Sequence, residues 1–307
     1  MTTSFSSQDQ ALGALMGLVV GDALGAPVEF KRRGQFSPVK DMIGGGKFRL
    51  PPGAWTDDTA MALCLAESLL AHPELDRSDL MSRFLRWINQ GENSSTGRAV
   101  GLGQNTLWAL ADFRKSGELI AKLRARPAHS NGALMRLAPL PCMHWRHPER
   151  ARRLASLQSW TTHHSALSSD ACVFVTTLMC ALIRGATWDE AKSEGLSEEW
   201  APELTALLDR DLSAIPSEEI SSSGYVIHTL EAAMWSVETT QSFEAALIKA
   251  VNLGDDADTV GAVTGQLAGA LYGLRAIPQR WLEPLVEAPR IKDLGDQLFH
   301  ALVNADL

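Results

Sequence analysis

Along most of the chain the apolar residues recur every three or four positions, and strand-like alternation is scarce. Residues 11–24, 58–71, 77–89, 100–113, 148–160, 165–184, 198–212, 225–237, 242–252, 259–272 and 292–303 carry this helical spacing. In 58–71, for example, Met61, Leu65 and Leu69 step by four and so share one helix face. Pro73, Pro148, Pro202 and Pro278 fall near expected helix ends, where a missing N–H does least harm. The pattern predicts an all-α fold. Gly44-Gly45-Gly46 leading to Pro51-Pro52-Gly53 reads as a loop, and Ser221-Ser222-Ser223-Gly224 as a turn entering a helix. Neither is long enough to separate domains, and no fixed-period repeat is present. We expect a flexible, polar N-terminus over 1–9 and one domain over 10–307.

Composition narrows the class without naming it. The 307 residues suffice for a substantial core, and 45% hydrophobic with 21% charged residues excludes general disorder. A formal net charge of −8 gives no electrostatic reason to bind nucleic acid or an anionic membrane. A nucleic-acid substrate held by a few local basic groups is a lesser alternative. The segment 11–20 is apolar but short, contains glycine and is followed by Asp22, so it reads as a core helix and not a membrane span. Cys64, Cys142, Cys172 and Cys180 form no CxxC pair, and all but Cys142 lie in apolar stretches, which favours buried thiols over disulfides. With no basic region leading into an apolar segment at the N-terminus, the expected location is the cytoplasm.

The candidate chemistry sits at two expected helix entries. Thr56-Asp57-Asp58-Thr59 precedes one apolar-periodic segment, and Asp255-Asp256-Ala257-Asp258-Thr259 precedes another. Taken singly, each is explained by helix capping, with acidic groups complementing the dipole. Capping does not account as readily for three carboxylates in four residues, because like charges repel unless a cation or bound protons offset them. Carboxylates plus hydroxyls form a hard-oxygen set, suited to Mg²⁺ or Mn²⁺ more than to Zn²⁺. If the two clusters meet in space they can hold two ions sharing a water; spacing alone does not say that they meet.

At these residues the chain resembles a known family. The run from Gly17 through Gly21-Asp22-Ala23-Leu24-Gly25 to Glu29, followed by Trp55-Thr56-Asp57-Asp58-Thr59, looks like the N-terminal signature of ADP-ribosylglycohydrolases. The segment Leu253 to Ala262 looks like its C-terminal partner. The resemblance runs from about Gln10 to Leu302 and points in particular to the bacterial dinitrogenase reductase-activating glycohydrolase branch. It implies a compact orthogonal helical bundle with a central cleft and two Mg²⁺ or Mn²⁺ ions. By position it implies Thr56, Asp57, Asp58, Asp256, Asp258 and Thr259 as metal ligands, with Glu29 on the loop after the first helix handling a proton. Glu29, Asp57, Asp58 and Asp256 are thus the expected catalytic groups, while Asp255 stands where many relatives have Gly and is left out of the ligand set.

Three further segments fit the family's ligand cleft. Asn93-Ser94-Ser95-Thr96-Gly97 looks like its Ser-Ser-Thr-Gly loop; Ser130-Asn131-Gly132 through Met135-Arg136 resembles its Asn-Gly-x-x-Met-Arg segment, with Ser130 where relatives often have Gly; Thr162-His163 matches a Thr-His step. The resemblance implies that Asn93, Ser94, Ser95, Thr96, Asn131, Gly132 and His163 contact the substrate. Some arginine-specific relatives carry an Asp where this chain has Gly101, so proton transfer to the leaving group must come from elsewhere. The expected reaction is removal of ADP-ribose from a modified target, foremost ADP-ribosyl-arginine on a protein, by water attack at the anomeric carbon of the distal ribose. Its partners are then an ADP-ribosylated protein and ADP-ribose as product, with serine-linked, O-acetyl or base-linked conjugates as variants. Two other readings stay open: an immunity protein against an ADP-ribosylating toxin, and a non-catalytic ADP-ribose binder.

Overall fold

A computed structural model describes residues 6–123, 129–196 and 199–302. Among them there is no β-strand, only isolated bridges such as Arg32 with Gly254 and Ser130 with Tyr225. The helices are α1 Ser7–Gly25, α2 Asp57–Ala71, α3 Arg77–Gln90, α4 Gln104–Ser116, α5 Pro139–His144, α6 Pro148–Thr162 and α7 Ala166–Ile183. They continue as α8 Trp188–Gly195, α9 Pro202–Leu208, α10 Val226–Glu238, α11 Phe243–Val251, α12 Ala257–Tyr272, α13 Gln279–Leu282 and α14 Ala288–Ala301.

The boundaries differ from the periodic pattern for local reasons. Ser6 accepts the Asp9 N–H and starts α1 at Ser7, so residues 7–9 belong to the folded body, while 1–5 lie outside the described residues. The helix expected from 100 starts at Gln104, because Gly101 has φ +84° and Gly103 stands at the N-cap. The stretch 198–212 contains only Pro202–Leu208 as α-helix, and its residue 198, like residue 303 of the last stretch, lies outside the described residues. The short α5 and α8 escape a periodicity search; α8 nevertheless carries a Thr187/Glu190 capping box.

At the centre lies α1, buried on nearly every face. It and α7 are long and apolar enough to cross a membrane, yet 100% and 83% of their apolar windows are covered by the rest of the fold. Both are core helices. The tightest contact is between α1 and α12, which run antiparallel: Gly13 meets Gly269, Gly17 meets Gly265, Gly21 meets Gly261, and Gly25 meets Ala257. A Cβ at Gly17 would lie 2.1 Å from the Gly265 carbonyl oxygen, so only glycine lets these backbones touch. This antiparallel contact brings the C-terminal end of α1 to the N-terminal end of α12. All four cysteines are buried free thiols.

Candidate metal centre

Both acidic clusters sit at helix N-termini, and the helices converge. Thr56 is the N-cap of α2, with Asp57 and Asp58 in its first turn; Asp256 is the N-cap of α12, with Asp258 and Thr259 following. Neither Thr56 nor Asp256 makes the side-chain capping bond to its own helix that would explain its presence. The exposed amides of α2 are met instead from α1. Asp22, fully buried, accepts the Thr56 N–H at 2.9 Å, the Thr59 N–H at 3.0 Å, and the hydroxyls of Thr56 and Thr59 at 2.8 and 2.7 Å. Asp22 therefore caps a helix to which it does not belong.

Two carboxylate trios result. Oxygens of Asp22, Asp58 and Asp258 lie within 4.8 Å of one another, as do those of Glu29, Asp256 and Asp258, so Asp258 belongs to both. Thr56 Oγ1 lies 3.2 Å from Asp58 Oδ2 and 3.4 Å from Asp258 Oδ2. Its one proton goes to Asp22, which leaves its lone pairs facing the trio. Asp22, with both oxygens taken up by these donors, supports the ligand set and does not extend it. Thus the structure brings together Glu29, Thr56, Asp58, Asp256 and Asp258, while Asp57 and Thr259 line the cavity beside them. Asp255 is exposed and lies outside the trios.

The carboxylates of this centre are gathered without a counter-charge. No ion pair of the described residues involves Asp22, Glu29, Asp57, Asp58, Asp256 or Asp258. Burial, then mutual repulsion, pushes Asp57, Asp58 and Asp258 well above the usual carboxylate range. Burial raises Asp22 and Asp256 as well, against the hydrogen bonds they accept. Glu29 is pushed up to about 11 by burial and by Asp258, Asp57 and Asp256. Asp58 Oδ1 and Glu29 Oε2 are buried with no hydrogen-bond partner. An all-oxygen donor set with orphaned oxygens and no counter-charge fits a hard divalent cation. Two helix N-termini aimed at the same point offset part of the repulsion.

Glu29 is held in place by backbone pairing. The Phe30 N–H donates to the Asp255 carbonyl at 2.6 Å, and the Asp255 N–H donates to the Lys31 carbonyl at 2.8 Å. The loop after the first helix is thereby stapled to the entry of α12.

Beside the trios opens a cavity of about 410 Å³, lined by Glu29, Asp57, Asp256 and Asp258 on one side and by Gly101–Thr106 and Ser130–Gly132 on others. Asn131 lines it, but its Nδ2 donates to Asp256 Oδ2 at 2.6 Å and Thr229 Oγ1 at 2.8 Å, fixing that carboxylate. Gly132 backs onto the His163 ring, where a Cβ would sit 2.7 Å from Cε1. His163 lines the cavity too; burial and Arg136 lower it to about 3, so the ring is neutral. Gly101 faces Asp57: a Cβ there would lie 2.0 Å from Asp57 Oδ1, so a side chain at this position would displace the carboxylate.

The loop Asn93 to Thr96 is placed differently from the expected ligand cradle. It is not among the residues lining this cavity. Ser95 Oγ accepts the Trp55 N–H and donates to the Trp55 carbonyl at 2.6 Å, pinning the turn that precedes Thr56. Asn93 bonds Glu67 and Arg290, Ser94 Oγ has no partner, and Thr96 is exposed. Asp22 and Ser130 stand inside the motifs quoted above, which assign neither of them a role. The signal for Asp22 was a charged residue in an otherwise apolar, glycine-spaced helix.

Comparison with known proteins gives the family and the fold. A family model described as ADP-ribosylglycohydrolase matches residues 3–306. The chain is 42% identical to the ADP-ribosylarginine hydrolase Tri1 of Serratia proteamaculans, over 98% of this chain and 81% of that protein. It is 35% identical to the ADP-ribosyl-dinitrogen reductase glycohydrolase of Rhodospirillum rubrum, over 92% of each. A solved structure described as an ADP-ribosylglycohydrolase-related protein complex matches with a TM-score of 0.85 and 41% identity, covering 96% of this chain and 99% of that one.

Proposed function

The chain belongs to the ADP-ribosylglycohydrolase family, and we propose that it removes ADP-ribose from arginine side chains of proteins. The observation that carries this reading is the pair of carboxylate trios sharing Asp258 at the wall of the cavity. The names of the relatives at 42% and 35% identity supply the linkage, arginine and a protein target. Thr56, Asp57, Asp58, Asp256, Asp258 and Thr259 would hold two Mg²⁺ or Mn²⁺ ions. When bound, such ions supply positive charge against ribose oxygens and lower the pKa of water.

The chain's own residues do the rest. The bond between the anomeric carbon and the guanidine nitrogen breaks, a bond to a water oxygen forms, and the nitrogen leaves with a proton. Glu29, which lines the cavity, would provide that proton to the leaving nitrogen and recover one from the attacking water. Asp57, facing the same cavity, would orient that water. Asn131 keeps Asp256 oriented, and Asp22 keeps Thr56 and α2 in register with the trio.

The test is release of free ADP-ribose from an ADP-ribosyl-arginine protein, with and without Mg²⁺ or Mn²⁺. Metal-dependent release supports the reading. Tight ADP-ribose binding with no release from arginine, serine or nucleic-acid conjugates would leave a binding protein in its place.

A further inference from the structure

A buried chain of hydrogen bonds behind the cavity has one direction that leaves no buried hydrogen unpaired. Arg136 is fully buried and can only donate. Its Nε donates to Gln158 Oε1 at 2.8 Å, and its Nη2 to the Gln158 carbonyl at 3.0 Å and to Thr162 Oγ1 at 2.9 Å. Thr162 Oγ1 accepts from Arg136; were it also to accept from His163 Nδ1, 2.8 Å away, its own proton would be buried with no acceptor among the described residues, so that proton goes to Nδ1. With Nδ1 accepting, the neutral ring carries its hydrogen on Nε2. That hydrogen points to Ser130 Oγ at 2.8 Å. Ser130 Oγ also accepts from Asn105 Nδ2 at 3.0 Å. Both lone pairs of Ser130 are thus engaged, and its own hydrogen finds no acceptor among the described residues. Ser130 lines the cavity.

We propose that Ser130 is a hydrogen-bond donor into the cavity, directed by Arg136, Thr162 and His163, and that it holds an acceptor-only oxygen of the ligand's diphosphate. A donor with no spare lone pair can only give a hydrogen, and the anionic phosphate oxygens are the strongest acceptors that ADP-ribose offers. The assignment of the diphosphate rests on the ADP-ribose reading above. Ser130 is a binding residue, and Arg136, Thr162 and His163 are positioning residues.

Two measurements test this. Nitrogen-15 NMR of the full chain reads the His163 tautomer directly: the wild type should hold hydrogen on Nε2 only, and Thr162→Val should give a mixture of tautomers. Calorimetry with ADP-ribose and with adenosine reads the cavity. Ser130→Ala should weaken ADP-ribose by about 10- to 100-fold, the range for a hydrogen bond to a charged group. It should leave adenosine unchanged, and Ser130→Thr should restore ADP-ribose binding. A wild-type ring with hydrogen on Nδ1 overturns the relay. Equal ADP-ribose affinity in Ser130→Ala, or an equal loss for adenosine, overturns the diphosphate contact. A wild type that binds no ADP-ribose overturns the substrate reading itself, a result distinct from either.

Discussion

Replacing Gly21 by alanine adds one methyl group where α1 crosses α12, one residue before Asp22. A Cβ at Gly21 would lie 2.0 Å from the Gly261 carbonyl oxygen and 2.3 Å from its carbon, whereas real Cβ contacts essentially never fall below 3.0 Å. The helices must therefore part by about 1 Å. Overpacking of this kind costs about 1–3 kcal/mol, and the better helix propensity of alanine returns about 1 kcal/mol of it. The net loss of stability is about 0–2 kcal/mol, so the variant stays folded. The centre fares worse, because metal–ligand distances tolerate only about ±0.2 Å. Asp58 and Thr56 move with α1 through Asp22, while Asp256 and Asp258 move with α12. We expect Mn²⁺ affinity to fall by about 10- to 100-fold, the effect of disturbing groups that orient ligands. Gly13→Ala creates the same clash, 2.3 Å from the Gly269 carbonyl oxygen, about 12 Å further along α1. It should lower the melting temperature similarly and change Mn²⁺ affinity by no more than about threefold. Calorimetric melting and Mn²⁺ titration followed by electron paramagnetic resonance read the two effects separately. Undiminished Mn²⁺ affinity in Gly21→Ala, or an equal loss in Gly13→Ala, refutes the reasoning.

Other expectations follow from the same contacts. Asp256→Ala with Asp258→Ala should abolish Mn²⁺ binding and turnover while circular dichroism stays native; retained turnover would sink the two-ion centre. Asp22→Ala strands the amides of Thr56 and Thr59, costing about 1–3 kcal/mol for each buried donor left unsatisfied, and should weaken Mn²⁺ as well. A variant with wild-type stability would show that water replaces the carboxylate. The neutral His163 ring, held near 3 by burial and Arg136, should not titrate by NMR between pH 8 and pH 5. Its folded pKa lies below the unfolded value near 6.5, so its contribution is complete above that pH and is lost as pH falls towards 3. At pH 5 the loss is about 2 kcal/mol. A His163 midpoint near 6.5 would contradict its burial.

The sequence by itself determined the all-α class, most helix positions and the two acidic helix entries, because periodicity and local charge are one-dimensional properties. It also held the glycines at 13, 17, 21 and 25 and at 261, 265 and 269, spaced by four. Their meaning as a single contact depends on two helices lying antiparallel, which no local pattern encodes. Tertiary structure alone decided that the two carboxylate trios share Asp258, and that Asp22 takes over the capping of α2 which the first cluster's own residues leave undone. It also set the Asn93–Thr96 loop behind Trp55, and Ser130 between His163 and the cavity. Hydrogen-bond direction is settled only where donors and acceptors from distant parts of the chain meet; the lone proton of Thr162 points one way because Arg136, an obligate donor, stands on its other side.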